Sequence, residues 1–147
     1  VKELGQNYPD IDFVFTRTND GYVPLLDRLA YAESQGSSGY LSIQANSFRD
    51  AGVHGVETIL DRSRARGGDS WKMAKSIQRS IVGLTGARDR GLRHQRLYTR
   101  HTSVPAAMVE VGFLTSPFER EKLLSPDYRE AIARGIIQGL RDHFTGE

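Results

Sequence analysis

Glu110 is the first residue to ask about chemistry. It lies in the run Pro105-Ala106-Ala107-Met108-Val109-Glu110-Val111-Gly112-Phe113-Leu114. The run is short and rich in apolar, β-branched and aromatic residues, and it reads as a buried strand. Strands alternate faces, so Met108, Glu110 and Gly112 should share one side and Val109, Val111 and Phe113 the other. An ionised carboxylate in such surroundings costs on the order of several kcal/mol unless something pairs with it. Residue type alone leaves two readings: a salt bridge that serves the fold, or a carboxyl placed for proton transfer. The polar row Ser42, Gln44 and Asn46 is equally open, as the solvated side of a sheet or the wall of a site. His54 and Glu57 are three apart, and on one strand they would face opposite ways, which argues against a shared metal. Arg88, Arg90, Arg93, His94, Arg96, Arg100 and His101 form a cationic segment. It could receive substrate carboxylates or an anionic polymer, or be the polar rim of a loop.

The elements that must carry these residues follow from pattern. Asp12 to Thr16, after the turn signal Tyr8-Pro9-Asp10, is expected as a strand. Pro24 opens a helix in which Leu25, Leu26, Leu29, Ala30 and Ala32 recur at helical spacing up to Gly36. Tyr40 to Asn46 is expected as a strand with Leu41, Ile43 and Ala45 on its apolar face. Gly55 to Leu60 is the next strand, and Asp61 to Gly68 a basic, flexible loop. Asp69-Ser70 offers an N-cap for a helix with Trp71, Ala74, Ile77, Ile81, Val82 and Leu84 as its stripe, closed by Gly86. Leu97-Tyr98 is read as a short strand within the cationic segment. Ser116-Pro117 and Ser125-Pro126 each start a helix. Tyr128, Ile132, Ile136, Leu140 and Phe144 make the clearest helical stripe of the chain. Strands alternating with helices imply an α/β fold, a largely parallel mixed sheet sandwiched between helices.

Composition bounds the rest. The 147 residues suit a single domain spanning 1–147, with 38% hydrophobic and 26% charged residues and a formal net charge of +2. There is no cysteine, so neither a disulfide framework nor a thiolate metal site is available. No run approaches the roughly 18 apolar residues of a membrane span. Val1-Lys2-Glu3-Leu4-Gly5 reads as the tail of a helix that begins earlier, so the numbering is expected to start inside a longer natural protein.

Taken in order, Thr16-Arg17-Thr18, Leu41-Ser42-Ile43-Gln44-Ala45-Asn46-Ser47, Gly55-Val56-Glu57-Thr58, Asp89-Arg90-Gly91 and Pro105 to Leu114 resemble the zinc-dependent N-acetylmuramoyl-L-alanine amidases over essentially the whole chain. The resemblance implies an amidase-type three-layer sandwich. It implies peptidoglycan as partner and hydrolysis of the amide between N-acetylmuramic acid and L-alanine, in the periplasm or cell wall. In the family one zinc, held by two histidines and a glutamate, lowers the pKa of a bound water to about 7 and polarises the carbonyl. Glu110 matches the family's catalytic glutamate, which moves protons between water and leaving amine. Asn46, Arg90 and Arg93 are the expected substrate-binding residues.

The chain departs from the family at the metal. One ligand histidine belongs to a motif reading Ser-Ile-His-Ala-Asn, and Gln44 stands in its place. The family's other histidine and its glutamate ligand come from a strand end and first helix expected upstream of Val1. A neutral amide is a poorer zinc donor than imidazole or carboxylate, so zinc binding and turnover are expected to be impaired. A domain lacking the family's first strand would also show unpaired backbone and could self-associate. Two further readings stand beside the amidase. One is a catalytically dead module that still binds peptidoglycan or regulates. The other is a nucleic-acid-binding module using Arg62, Arg64, Arg66 and the segment from Arg88 to Arg100.

Overall fold

The run around Glu110 forms a strand, and that strand lies inside a sheet. A computed structural model describes residues 1–146. Its elements are α1 (Lys2–Gly5), α2 (Leu25–Ser34), β1 (Tyr40–Asn46), β2 (Val56–Asp61), α3 (Asp69–Thr85), β3 (Asp89–Gln95), a 3-10 turn (Tyr98–His101), β4 (Ala106–Phe113), α4 (Pro117–Leu124) and α5 (Pro126–Phe144). The strand order is β1-β4-β2-β3. β1 runs parallel to β4 and β2 parallel to β3, while β2 and β4 are antiparallel. The sheet is therefore mixed, two parallel pairs joined at one antiparallel seam. Among the described residues no helix is long and apolar enough to cross a membrane.

One face of the sheet is closed by α3, with α5 behind it. Val56 and Leu60 of β2 and Ala107, Val109 and Val111 of β4 pack with Met73, Ala74, Ile77 and Ile81 of α3 and Ile132 and Ile136 of α5. The two helices approach closely because α5 presents glycines. A Cβ at Gly139 would lie 2.5 Å from the Ile77 Cα, and one at Gly135 would lie 2.7 Å from the Ile81 Cα. Gln78 fastens α3 to the sheet edge. It accepts from the buried Thr58 hydroxyl and donates to the Val56 carbonyl and to the carboxylate of Asp89 at the start of β3. On the opposite face, where β1 and β4 begin, Leu29 and Ala32 of α2 pack over Tyr40 and Ala106, with Tyr98 and Val104 alongside.

Several expectations are corrected. Residues 12–16 form no strand; they run as irregular chain past β1, lining a cavity of about 840 Å³ with Leu41 and Ile43. Their β-branched and aromatic types carry β propensity, but no ladder is formed there, and propensity without a neighbouring strand decides little. Leu97-Tyr98 is not a strand either. The strand of that region is Asp89–Gln95, drawn into the sheet by pairing with β2, so Arg90 and Arg93 sit on a strand rather than in a loop. The α3 N-cap is Gly68, and the Ser70 hydroxyl instead accepts from the Ala106 amide at 3.0 Å. Ser116 caps α4 as expected, but the Ser125 side chain makes no cap bond. On β1 the polar row is the covered side. Ser42 is buried, whereas Ile43 is 45% exposed.

Candidate active site

Three side chains stand in register on the face that α3 leaves free. Glu110 of β4 is flanked by Gln44 of β1 and by Glu57 of β2 as direct cross-strand partners. Neighbouring strands are about 4.8 Å apart, so Gln44, Glu110 and Glu57 form a short line across the sheet. Glu110 is buried, and its Oε2 has no hydrogen-bond partner. Burial first, and the charge of Glu57 second, raise the Glu110 carboxyl above the ordinary range. Such a group holds its proton closer to neutrality than a surface glutamate does, and it can donate or accept one at a bound amide.

Glu57, by contrast, is fully engaged. Its Oε1 accepts from the Asn46 amide at 3.2 Å and its Oε2 from the Arg90 Nε at 2.9 Å. The Arg93 Nε lies 3.7 Å from the same Oε2. The two carboxylates are thus differently placed: Glu57 sits between cations and a donor, and Glu110 has none.

Two bulges make this arrangement. Between the pairs Val56↔Asp89 and Thr58↔Leu92, β3 carries one residue more than β2. Arg90 and Gly91 therefore both oppose Glu57, and Gly91 takes φ 74°. Without the extra residue, Arg90 and Arg93 would face opposite sides of the sheet. With it, both reach Glu57. A second bulge follows Glu110, where Gln44↔Glu110 is succeeded by Asn46↔Phe113 and Gly112 has φ 150°. This moves Phe113 off the Val109 side where alternation placed it. Its ring lies 5.0 Å from the Arg90 guanidinium, which also holds Glu57, so Phe113 buttresses the site from the Glu110 side.

The other expected residues divide. Gln44 is adjacent to Glu110, and its amide donates to the Ser42 hydroxyl at 3.2 Å. Asn46, Arg90 and Arg93 all gather at Glu57. Of the histidines, His94 pairs in register with Leu60, which puts it on the face opposite Glu57. His54 precedes β2, its Nδ1 2.9 Å from the Gly52 carbonyl. Arg64 is spent on the carbonyls of Thr99 and Thr102. The end of β3 is tied down by Asp61. Burial pushes that carboxyl up, but the Leu97 amide, the Ser63 hydroxyl and amide and the charge of Arg100 outweigh it and hold it at about 2.

Glu57 went unrecognised as part of the site from sequence. The signal was present: Val56-Glu57-Thr58-Ile59-Leu60 is also a lone carboxylate in an apolar run, the argument already applied to Glu110.

A family model for N-acetylmuramoyl-L-alanine amidase matches residues 2–142. The chain belongs to this amidase family. It is 29% identical over 132 residues to the amidase LytC of Bacillus subtilis, covering 89% of this chain and 26% of LytC. The fold agrees with two solved members. The catalytic domain of the amidase CwlV from Bacillus (Paenibacillus) polymyxa superposes with a TM-score of 0.89 at 28% identity, over 99% of this chain and 79% of that one. An N-acetylmuramoyl-L-alanine amidase of Clostridium difficile gives 0.90 at 30% identity, over 97% and 76%. The mixed sheet with helical layers is thus the amidase catalytic fold. The chain spans about a quarter of LytC and about three quarters of the solved domains.

The amidase family is zinc-dependent, and the residues of the row test that against this chain. Among the described residues no group of three or more His, Asp or Glu side chains could hold a metal ion. Gln44 offers a neutral amide, Glu57 is occupied by Arg90 and Asn46, and Glu110 is a single carboxyl. This donor set does not fit zinc.

Proposed function

We propose that this domain recognises the amide joining N-acetylmuramic acid to L-alanine in peptidoglycan, with Glu110 as the proton-bearing group at that amide. The observation that carries the reading is the geometry of Glu110. It is a buried carboxyl with a free oxygen, in register with Gln44 and Glu57, on an amidase fold. An unpaired buried carboxyl lowers stability and is retained where it has work to do. Asn46, Arg90 and Arg93 form the binding wall beside it, Arg90 mainly by fixing Glu57 and Phe113. Turnover is weak, because a neutral amide at 44 stands where the family resemblance places an imidazole. No hydrolytic step through zinc is assigned to these residues. Residues 1–147 act as one catalytic-type domain, working where peptidoglycan is, in the periplasm or cell wall, as the cell-wall names of several relatives suggest.

Retention on purified sacculi tests recognition. The protein should co-sediment with sacculi and be displaced by soluble N-acetylmuramyl-L-alanine. Retention no greater than that of a control protein of similar charge would remove the binding claim.

A further inference from the structure

Arg90 and Arg93 both reach Glu57, but Arg93 is the more exposed of the two. The Arg90 guanidinium gives its Nε to Glu57 and lies against the Phe113 ring, and its side chain is 22% exposed. The Arg93 side chain is 53% exposed, and its one protein partner among the described residues is Glu57, at 3.7 Å through Nε. The two terminal amino groups of Arg93 are therefore free. A guanidinium presents a planar pair of donors that matches a carboxylate, and an exposed ion pair at that distance holds it only loosely.

Charge points the same way. At the β3 end of the row Glu57 against Arg90 and Arg93 leaves one positive charge, which suits a single carboxylate, while Glu110, one strand further on, adds a negative charge only in its ionised form. The other strands contribute neutral Ser42, Gln44 and Asn46 on β1 and Glu110 on β4, while Glu119 of α4 is turned to the Gly55 and Phe113 amides. Distance is consistent as well. β4 and β3 are two strand spacings apart, about 10 Å, and the long arginine side chain covers part of that gap. An acid group roughly one residue beyond the amide at Glu110 falls within reach.

We propose that Arg93, steered by Glu57 and the Gly91 bulge, anchors a free carboxylate on the peptide side of the ligand, so that the site distinguishes a stem peptide carrying that carboxylate from one carrying the carboxamide. The proposal rests on the muramyl-peptide reading above. Its test is binding of two probes to the whole protein at low ionic strength, by calorimetry or chemical-shift titration: N-acetylmuramyl-L-alanyl-D-glutamate with its γ-carboxyl capped as the methylamide, and the same capped compound with D-isoglutamine. The carboxylate probe should bind about tenfold more tightly, as a charge-assisted pair allows, and added salt should shrink the difference. Arg93→Gln should erase the preference, bringing the carboxylate probe down to the affinity of the carboxamide probe, and an unchanged circular-dichroism spectrum and melting temperature show that the variant is folded. Equal binding of both probes, or a preference that survives in Arg93→Gln, overturns the role of Arg93 and leaves the reading of the site standing. Binding of neither probe overturns the reading and the role of Arg93 with it.

Discussion

Glu110→Gln should yield a protein that melts at a higher temperature than its parent at pH 8 and has lost its chemistry. Both halves come from one geometry. The carboxyl is buried, one oxygen has no partner, and Glu57 faces it across the strand pair. Its folded-state pKa is raised by burial and by the Glu57 charge, so the folded protein favours the protonated form more than the unfolded chain does. The resulting stability is fully present below the unfolded pKa of about 4.3 and is lost as pH rises through the higher folded value. A glutamine keeps the shape without the charge. Its gain in melting temperature should therefore be largest at pH 7 to 8 and vanish near pH 4, by thermal unfolding across that range. Release of stem peptides should fall by about 10²–10⁴-fold, the usual worth of general acid–base catalysis. It is best read in the Gln44→His background, where turnover is expected to be larger. A variant that is destabilised at pH 8 would mean that Glu110 serves the fold. Such a trade of stability for activity is the usual mark of a functional carboxyl.

Gly139→Ala should bring the largest loss of stability from a single methyl group. The added Cβ would stand 2.5 Å from the Ile77 Cα and 2.7 Å from its amide nitrogen. Those atoms are helix backbone and cannot swing aside, so α5 must move away from α3. That opens the contact between Ile77 and Ile81 on one helix and Ile132 and Ile136 on the other, the centre of the core. Overpacking costs about 1–3 kcal/mol and more where backbone must move. Helix propensity would return only about 1 kcal/mol. Denaturant titration should show a net loss of about 2 kcal/mol or more. An unchanged midpoint would show that the two helices do not meet as described. The site lies on the other face, so a folded Gly139→Ala protein should still bind sacculi.

The parts legible in sequence were those whose pattern and packing agree. The α5 stripe, the α3 stripe and the strand at Pro105 are apolar on the side the core needs, and they form where expected; the strand at Tyr40 also forms, but with Ser42 buried and Ile43 exposed. Local types misled in residues 12–16, where β propensity finds no ladder, and in Asp89–Gln95, where four charged or imidazole side chains hide an edge strand that β2 recruits. Glu110 could be singled out because a lone carboxylate in a buried run needs a reason. Its surroundings could not. They depend on two bulges, at Arg90-Gly91 and at Val111-Gly112, each of which turns a side chain to a face that strict alternation forbids. A glycine in a strand hints at such a bulge, but only pairing shows that the first brings Arg90 to Glu57 and the second carries Phe113 to Arg90.

Turnover limited by the side chain at 44 is the claim on which the functional account turns. Its most direct measurement is zinc content and release of stem peptides from purified peptidoglycan, compared between the whole protein and its Gln44→His variant. The expected result is little of either in the parent and a rise of both in the variant, because an imidazole is the better zinc donor. A parent that carries one zinc per chain and releases stem peptides as fast as the variant would contradict it.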